Sequence, residues 1–247
     1  MGEAVTEPLH LVTAIFRQRS GTGSEFTPIE KYVERVEAIV KLGIPITIFA
    51  NEDAYAQLVL RMATALVRFQ PFRELWLCRV IDAIGPDRIV LPEQRNVAKD
   101  TLDYLIIQNS KTELCAQVAR ETGARRIAWI DAGVTKVCAD VSRLARAAEL
   151  PEGITIPGRV DFDDKPRPRF DEVSWRFLGG FFCGSTESIE EFDARARQAI
   201  LTFLPRITWD TNLWTFLEGG SFPFRRYTAG HDETFLNFRV DTYEETC

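Results

Sequence analysis

Apolar residues along the chain fall alternately into short continuous runs and into stripes of helical spacing. Leu9 to Phe16 (LHLVTAIF) is a brief, β-branched apolar run followed by polar residues, the pattern of a buried strand. Thr27-Pro28-Ile29-Glu30 then reads as a helix start. Thr27 caps, Pro28 suits the first helical position and Glu30 completes a capping box. Tyr32, Val33, Val36, Ile39 and Val40 follow at helical spacing, and Gly43 supplies a stop. Pro45 to Ala50 (PITIFA) predicts a second strand, Asp53 to Val67 a helix and Leu75 to Ile81 a further strand. Tyr104 to Thr122 reads as helix and Arg126 to Ile130 as strand. Strands alternating with helices imply βαβ units, so the expected class is α/β, with a mainly parallel sheet flanked by helices. Ligands of such sheets sit outside the carboxyl ends of the strands, which makes the residues just after each strand the first candidates.

The texture changes near Pro151. Pro157 to Pro168 (PGRVDFDDKPRP) is rich in proline and charge and reads as a loop over a site. Val173 to Cys183 is strand-like, Ser188 to Leu204 and Asp210 to Leu217 are helical, and the tail is extended. No flexible linker separates the two parts, so one domain over residues 1–247 is expected.

Composition adds exclusions. A chain of 247 residues that is 45% apolar can bury one sizeable core. Its formal net charge of -6 gives no overall field for nucleic acid, which is excluded as a partner. No apolar run reaches the length of a membrane span, so no transmembrane segment is expected. The five cysteines are scattered without a CxxC pair and are expected to be buried thiols in a reducing compartment. With no basic leader before the first strand, the expected location is cytoplasmic.

Five strings carry candidate chemistry. In Arg126-Ile127-Ala128-Trp129-Ile130-Asp131-Ala132-Gly133, an apolar strand runs into an acid, a small residue and a glycine. Asp131 either faces the crevice, where it would hold a divalent cation and a diphosphate, or caps the next helix. Ala132 and Gly133 would let a ligand approach the backbone. The same strand-end rule brings in Ala14 and Arg17. In Phe177 to Ser185 (FLGGFFCGS), Gly179, Gly180 and Gly184 interrupt an apolar strand, with Phe182 among them. A sugar lying on bare backbone would explain them, and so would a bend in the sheet. Ser185, with Ser188 as competitor, caps the following helix.

In Gly230 to Asn237 (GHDETFLN), His231 stands beside Asp232 as a metal ligand or phosphate contact, or as part of a solvated turn; nitrogen ligation would favour manganese over magnesium. The other histidine, His10, reads as packing. In Thr208 to Trp214 (TWDTNLW), Trp209 and Trp214 flank an acid and an amide. That string is either a helix cap or a sugar-binding wall with Asn212, in which Asp210 is the base for an acceptor hydroxyl. Finally, Ile107 to Lys111 (IIQNSK) offers Asn109 and Lys111, the latter for a phosphate or simply solvated. No GxSxG, P-loop, HExxH or GxGxxG occurs.

LVTAIF, PITIFA, IIQNSK, WIDAG and GGFFCGS together resemble the HtrL/YibB-like proteins, in the same order and over most of the chain from Leu11 to Asn237. More loosely, GGFFCGS followed by HDETFLNF is similar to the blood-group-type retaining galactosyltransferases, although His231 falls much later here. The resemblance implies a GT-A-like fold, with residues 9–150 as nucleotide-binding half and residues 151–247 as acceptor-side half. It implies a glycosyltransferase that moves a sugar from a nucleotide-diphosphate sugar, a uridine one first, to a hydroxyl acceptor such as a carbohydrate. Asp131 and His231 would hold Mn2+ or Mg2+, and Asp210 would be the acceptor-side acid. One departure stands out: Asp131-Ala132-Gly133 replaces the usual Asp-x-Asp, so the second carboxylate is missing. Two other readings remain open. One is a nucleotide-sugar-binding protein without turnover. The other is a sugar-1-phosphate nucleotidyltransferase using the segment Arg17 to Ser24.

Overall fold

A computed structural model describes residues 9–16, 28–159, 169–238 and 244–245. The strands are β1 (Leu9–Ile15), β2 (Ile46–Ala50), β3 (Leu66–Phe69), β4 (Arg126–Ile130), β5 (Ile154–Gly158), β6 (Phe181–Ser185), β7 (Phe224–Thr228) and β8 (Glu244–Glu245). They form one sheet in the order β3-β2-β1-β4-β6-β5-β7-β8. β3, β2, β1 and β4 are mutually parallel, while β6 is antiparallel to both β4 and β5. β7 runs parallel to β5, and β8 antiparallel to β7. Only β6 and β8 therefore oppose the common direction. The expected α/β class with a mainly parallel sheet is what the chain forms, and the sheet passes without a break from the first half into the second.

Helices α1 (Ile29–Val40), α2 (Glu52–Arg61), α3 (Trp76–Ile84), α4 (Leu102–Asn109), α5 (Lys111–Thr122), α6 (Thr186–Phe203) and α7 (Asp210–Gly219) cover the sheet on two sides. Side chains alternate between the faces of a strand. In β4, Ile127 and Trp129 join the core made with Leu114 of α5, Phe192 of α6 and Trp214 of α7. Ala128 and Ile130 join the opposite core, with Val36 of α1, Leu58 of α2 and Leu144 of a 3-10 segment, Val141–Glu149. Burial on both faces is why these strands read as continuous apolar runs.

Some expected elements change. Leu75 to Ile81 is not a strand: α3 buries Leu77, Cys78 and Ile81, a helical spacing, and the N–H of Trp76 in its first turn is taken by the Glu113 carboxylate at 3.1 Å. The run from Tyr104 to Thr122 is two helices broken at Ser110. The Asp53 to Val67 helix stops at Arg61, and Val67 lies in β3. Of Val173 to Cys183, only the end enters a strand. Ser185 caps α6 by accepting the Ser188 N–H at 3.2 Å. Arg17, the rest of the segment to Ser24, Thr27, Cys247 and most of the loop from Pro157 to Pro168 lie outside the described residues. Among the described residues no helix is long and apolar enough to cross a membrane. Cys78, Cys115, Cys138 and Cys183 are free and buried, as expected. Burial pushes the Cys183 thiol up to about 12.

Candidate functional site

β1 and β4 are neighbours whose connections leave in opposite directions, one to β2 and the other toward β6. That is the switch point at which an open α/β sheet leaves space for a ligand beyond its carboxyl ends. Asp131 is the first residue past β4. Its N–H donates to the Gly180 carbonyl at 2.9 Å, which carries the β4–β6 ladder one step further and sets the acid beside the glycine pair. Its side chain does not cap a helix. Oδ1 accepts the indole N–H of Trp129 at 2.7 Å and faces Lys111 Nζ at 3.3 Å, while the side chain keeps 37% of its exposure.

Lys111 opens α5 and is almost completely buried, with its side chain 2% exposed. A cation at a helix N-terminus opposes the helix dipole, so other groups must hold it there. Its ammonium donates to Asp210 Oδ2 at 2.7 Å and to the Gly179 carbonyl at 2.7 Å. The rings of Trp129 and Trp214 lie 5.9 and 6.0 Å from it. Burial alone would depress Lys111, but Asp131 and Asp210 outweigh it and hold the ammonium above its ordinary value. Asp210, the first residue of α7, also accepts the Thr211 N–H at 2.9 Å. Burial pushes its carboxyl upward against the pull of Lys111.

Four of the five strings singled out in the sequence thus meet at one ammonium group. They bring Asp131, Gly179 with Gly180, Lys111 and Asp210 together from separate elements. The fifth contributes Phe235 rather than His231. A Cβ on Gly180 would stand 2.9 Å from Phe235 Cζ and 3.6 Å from Asp131 Oδ2.

The geometry corrects several expected roles. The glycines are bare for the protein's own atoms rather than for a sugar: a Cβ on Gly179 would meet Asp210 Oδ2 at 2.9 Å, and one on Gly184 would meet Ile154 Cδ1 at 2.6 Å. Gly184 also pairs with Ile127 near the start of β4, away from the carboxyl end. Phe182, Trp209 and Trp214 are core residues, not a sugar wall; Phe182 and Trp214 pack edge to face at 5.7 Å. Asn212 pins the preceding loop, accepting the Ser174 N–H and donating to the Arg169 and Glu172 carbonyls. Asn109 ties α4 to the Thr208 carbonyl. Asp210 and Lys111 are spent on each other, which leaves neither an acceptor-facing base nor a phosphate contact. Asp232 folds its own turn, accepting the Thr234 N–H and hydroxyl. Ala14 is half-buried near the end of β1, and Ala132 is buried in the core beside α1.

The two expected cation ligands, Asp131 and His231, are both engaged by protein groups. His231 packs edge to face on Trp175 at 5.4 Å. Partial burial, then Arg159 and Lys99, hold its ring below the usual imidazole value, with Asp232 opposing them. Asp131 Oδ1 already takes an indole N–H and an ammonium, and Asp210 is paired. Among the described residues no three of His, Cys, Asp and Glu come together as metal ligands.

Sequence reasoning passed over the groups around Asp131. A Cβ on Gly133 would touch Tyr32 Cε1 at 3.7 Å, and Tyr32 carries Arg35 at 5.4 Å and Lys136 at 5.7 Å from its ring. Lys99 lies 5.3 Å from the ring of Tyr104. Burial, then Asp210 and Asp131, raise the Tyr104 hydroxyl well above its usual value, with smaller pushes from Asp100 and Tyr32. Partial burial and then Arg35, Lys99 and Lys31 hold Lys136 below the ordinary lysine value. Tyr32 and Arg35 stand one helical turn apart, a spacing that signals a shared face. Lys99 gives no such signal, because only the fold brings it near.

A separate groove lies between α6 and the end of α7, lined by Glu191, Arg195, Thr202, Phe216 and Phe222 among others. It holds none of the residues singled out above. No protein-family model matches the chain, and no curated protein matches it.

Proposed function

We propose that this protein is a glycosyltransferase of GT-A-like fold, related to the HtrL/YibB-like proteins, that transfers a sugar from a nucleotide-diphosphate sugar to a hydroxyl acceptor. The observation that carries the reading is the place of Asp131. It is a solvent-reaching carboxylate at the carboxyl end of β4, at the switch point of the parallel strands, held by a buried lysine and an indole.

In this reading Asp131 is the base. It takes the proton of the acceptor hydroxyl as that oxygen bonds to the anomeric carbon. The bond from that carbon to the diphosphate oxygen breaks, and the nucleoside diphosphate leaves. Lys111, Asp210 and Trp129 are positioning residues that fix the carboxylate, so catalysis is orientation and charge stabilisation rather than covalent chemistry by the protein. The buried free thiols support residence in a reducing compartment such as the cytoplasm. A second reading, a nucleotide-sugar binder without turnover, is favoured by the sequestration of Asp210 in its ion pair.

Incubation with a panel of uridine and guanosine diphosphate sugars, with the products resolved chromatographically, tests the proposal. Release of nucleoside diphosphate, slowed in Asp131→Asn, supports a transferase with its water-directed side reaction. Sugar-1-phosphate with nucleoside triphosphate, formed when pyrophosphate is supplied, would make it a nucleotidyltransferase. Binding with no product would make it a binder.

A further inference from the structure

Resting on the transferase reading, we infer that the acceptor is an oligosaccharide, held by a sugar ring stacked on Trp175 with His231 beside it. Of the five tryptophans, Trp129, Trp209 and Trp214 are at most 5% exposed and Trp76 is half-buried, whereas Trp175 keeps 43% of its exposure. Its backbone is nevertheless fixed on both sides. The Ser174 N–H donates to Asn212 Oδ1 at 2.6 Å, and Arg176 is buried in its pair with Glu218. Phe177 bridges Gly158 in antiparallel fashion, and the Leu178 N–H donates to the Pro157 carbonyl at 2.9 Å. Gly158 permits this close approach, since a Cβ there would stand 2.7 Å from the Arg176 carbonyl oxygen. His231 meets the indole at 86°, from a turn in which the Gly230 N–H donates to Thr234 Oγ1 at 2.8 Å.

β4, β5 and β7 share one direction, because β6 opposes both β4 and β5 and β7 is parallel to β5. Antiparallel pairing with the end of β5 carries Trp175 past Gly158, and His231 follows the end of β7. Both therefore stand at the carboxyl edge of the sheet, as Asp131 does. The segment that bears His231 also reaches the acid. Phe235, four residues on, fills the space beside Gly180, where a Cβ would lie 3.6 Å from Asp131 Oδ2. Only β6 separates β4 from β5, a span of two strand spacings or roughly 10 Å. One sugar can lie on Trp175 while a hydroxyl of its linked neighbour reaches Asp131. The negative face of an indole attracts the C–H bonds that line one side of a pyranose, and a ring already fixed in place costs little ordering on binding. Partial burial, then Arg159 and Lys99, hold His231 below its ordinary value, so at neutral pH its uncharged ring donates from one nitrogen and accepts at the other, as sugar hydroxyls require. A serine side chain or glycerol offers no such ring face.

A glycan array probed with the full chain in UDP, with immobilised glycerol and a serine peptide beside the saccharides, tests this. The saccharide bound most tightly is then titrated into the variants. It is expected to bind in preference to both controls and to move the tryptophan emission to shorter wavelength as Trp175 leaves water. Trp175→Ala is expected to weaken binding about tenfold, the worth of one stacked ring. Trp175→Phe is expected to recover most of the affinity but not the emission shift, which separates a lost contact from a folding defect. Leu60→Ala, at a side chain 86% exposed on α2, is expected to leave the affinity unchanged. Binding that survives Trp175→Ala overturns the inference, as does glycerol or peptide bound as well as any saccharide. Absence of saccharide binding overturns it too, and nucleoside diphosphate release by the same protein then decides the transferase reading separately.

Discussion

Among the described residues, two buried ion pairs are built to different plans. Arg176 and Glu218 are one cation against one acid, with side chains 5% and 2% exposed, joined by Nε and, at 2.9 Å, by Nη2. Lys111 faces two acids: Asp210, as buried as itself, and Asp131, which reaches solvent. The Arg176–Glu218 pair secures a loop to a helix. The lysine centre carries one negative charge too many, and that surplus stands at the carboxyl end of β4. Burying charge is costly in both places, but only the second leaves a group able to meet a substrate.

Removing the cation breaks both pairs and is the largest effect expected. Lys111→Met and Arg176→Met should each cost about 3–5 kcal/mol in urea denaturation, since an uncompensated buried acid remains. Replacing both partners separates the two sites. Arg176→Met/Glu218→Leu should regain most of the loss. Lys111→Met/Asp210→Leu should regain it as well but abolish nucleoside diphosphate release, because Asp131 is no longer positioned.

pH sharpens the contrast. The folded Lys111 holds its proton above the ordinary lysine value of 10.5. Its contribution to stability is therefore complete below the unfolded value and is lost as pH rises through the folded one. The stability gap between the native chain and Lys111→Met should narrow in alkali, whereas the gap for Arg176→Met should not, because guanidinium stays protonated there. A parallel narrowing of both gaps would contradict the assignment.

Asp131→Asn is the smallest perturbation of stability, within about 1 kcal/mol for so exposed a carboxylate. It should nevertheless slow nucleoside diphosphate release by roughly 10²–10⁴-fold, the range of a lost general base. A melting temperature that falls steeply, with the rate unaffected, would make Asp131 a structural acid.

The parallel half of the fold could be read from sequence because strands buried on both faces leave unbroken apolar runs, and β1, β2 and β4 are such runs. α3 was misread for the same reason: LWLCRVI is as apolar as a strand, and only its burial spacing reveals the helix. Asp131, Lys111, Asp210 and the glycines were each legible as unusual. Their roles were not, because each owes its environment to a contact distant along the chain. The closest example is Gly179, whose missing side chain makes room for Asp210. Trp214 and Phe182 looked like ligand-facing aromatics because sequence does not distinguish an aromatic wall from an aromatic core.

The central claim is a location: the nucleotide sits beyond β1 and β4, beside Asp131. A crystal structure with bound UDP, or whichever diphosphate titrates tightest, tests it most directly. The account predicts the diphosphate beyond the carboxyl ends of β1 and β4, with Asp131 open toward the site of the acceptor. A nucleotide seated in the groove between α6 and α7, with Asp131 facing only solvent, would contradict it.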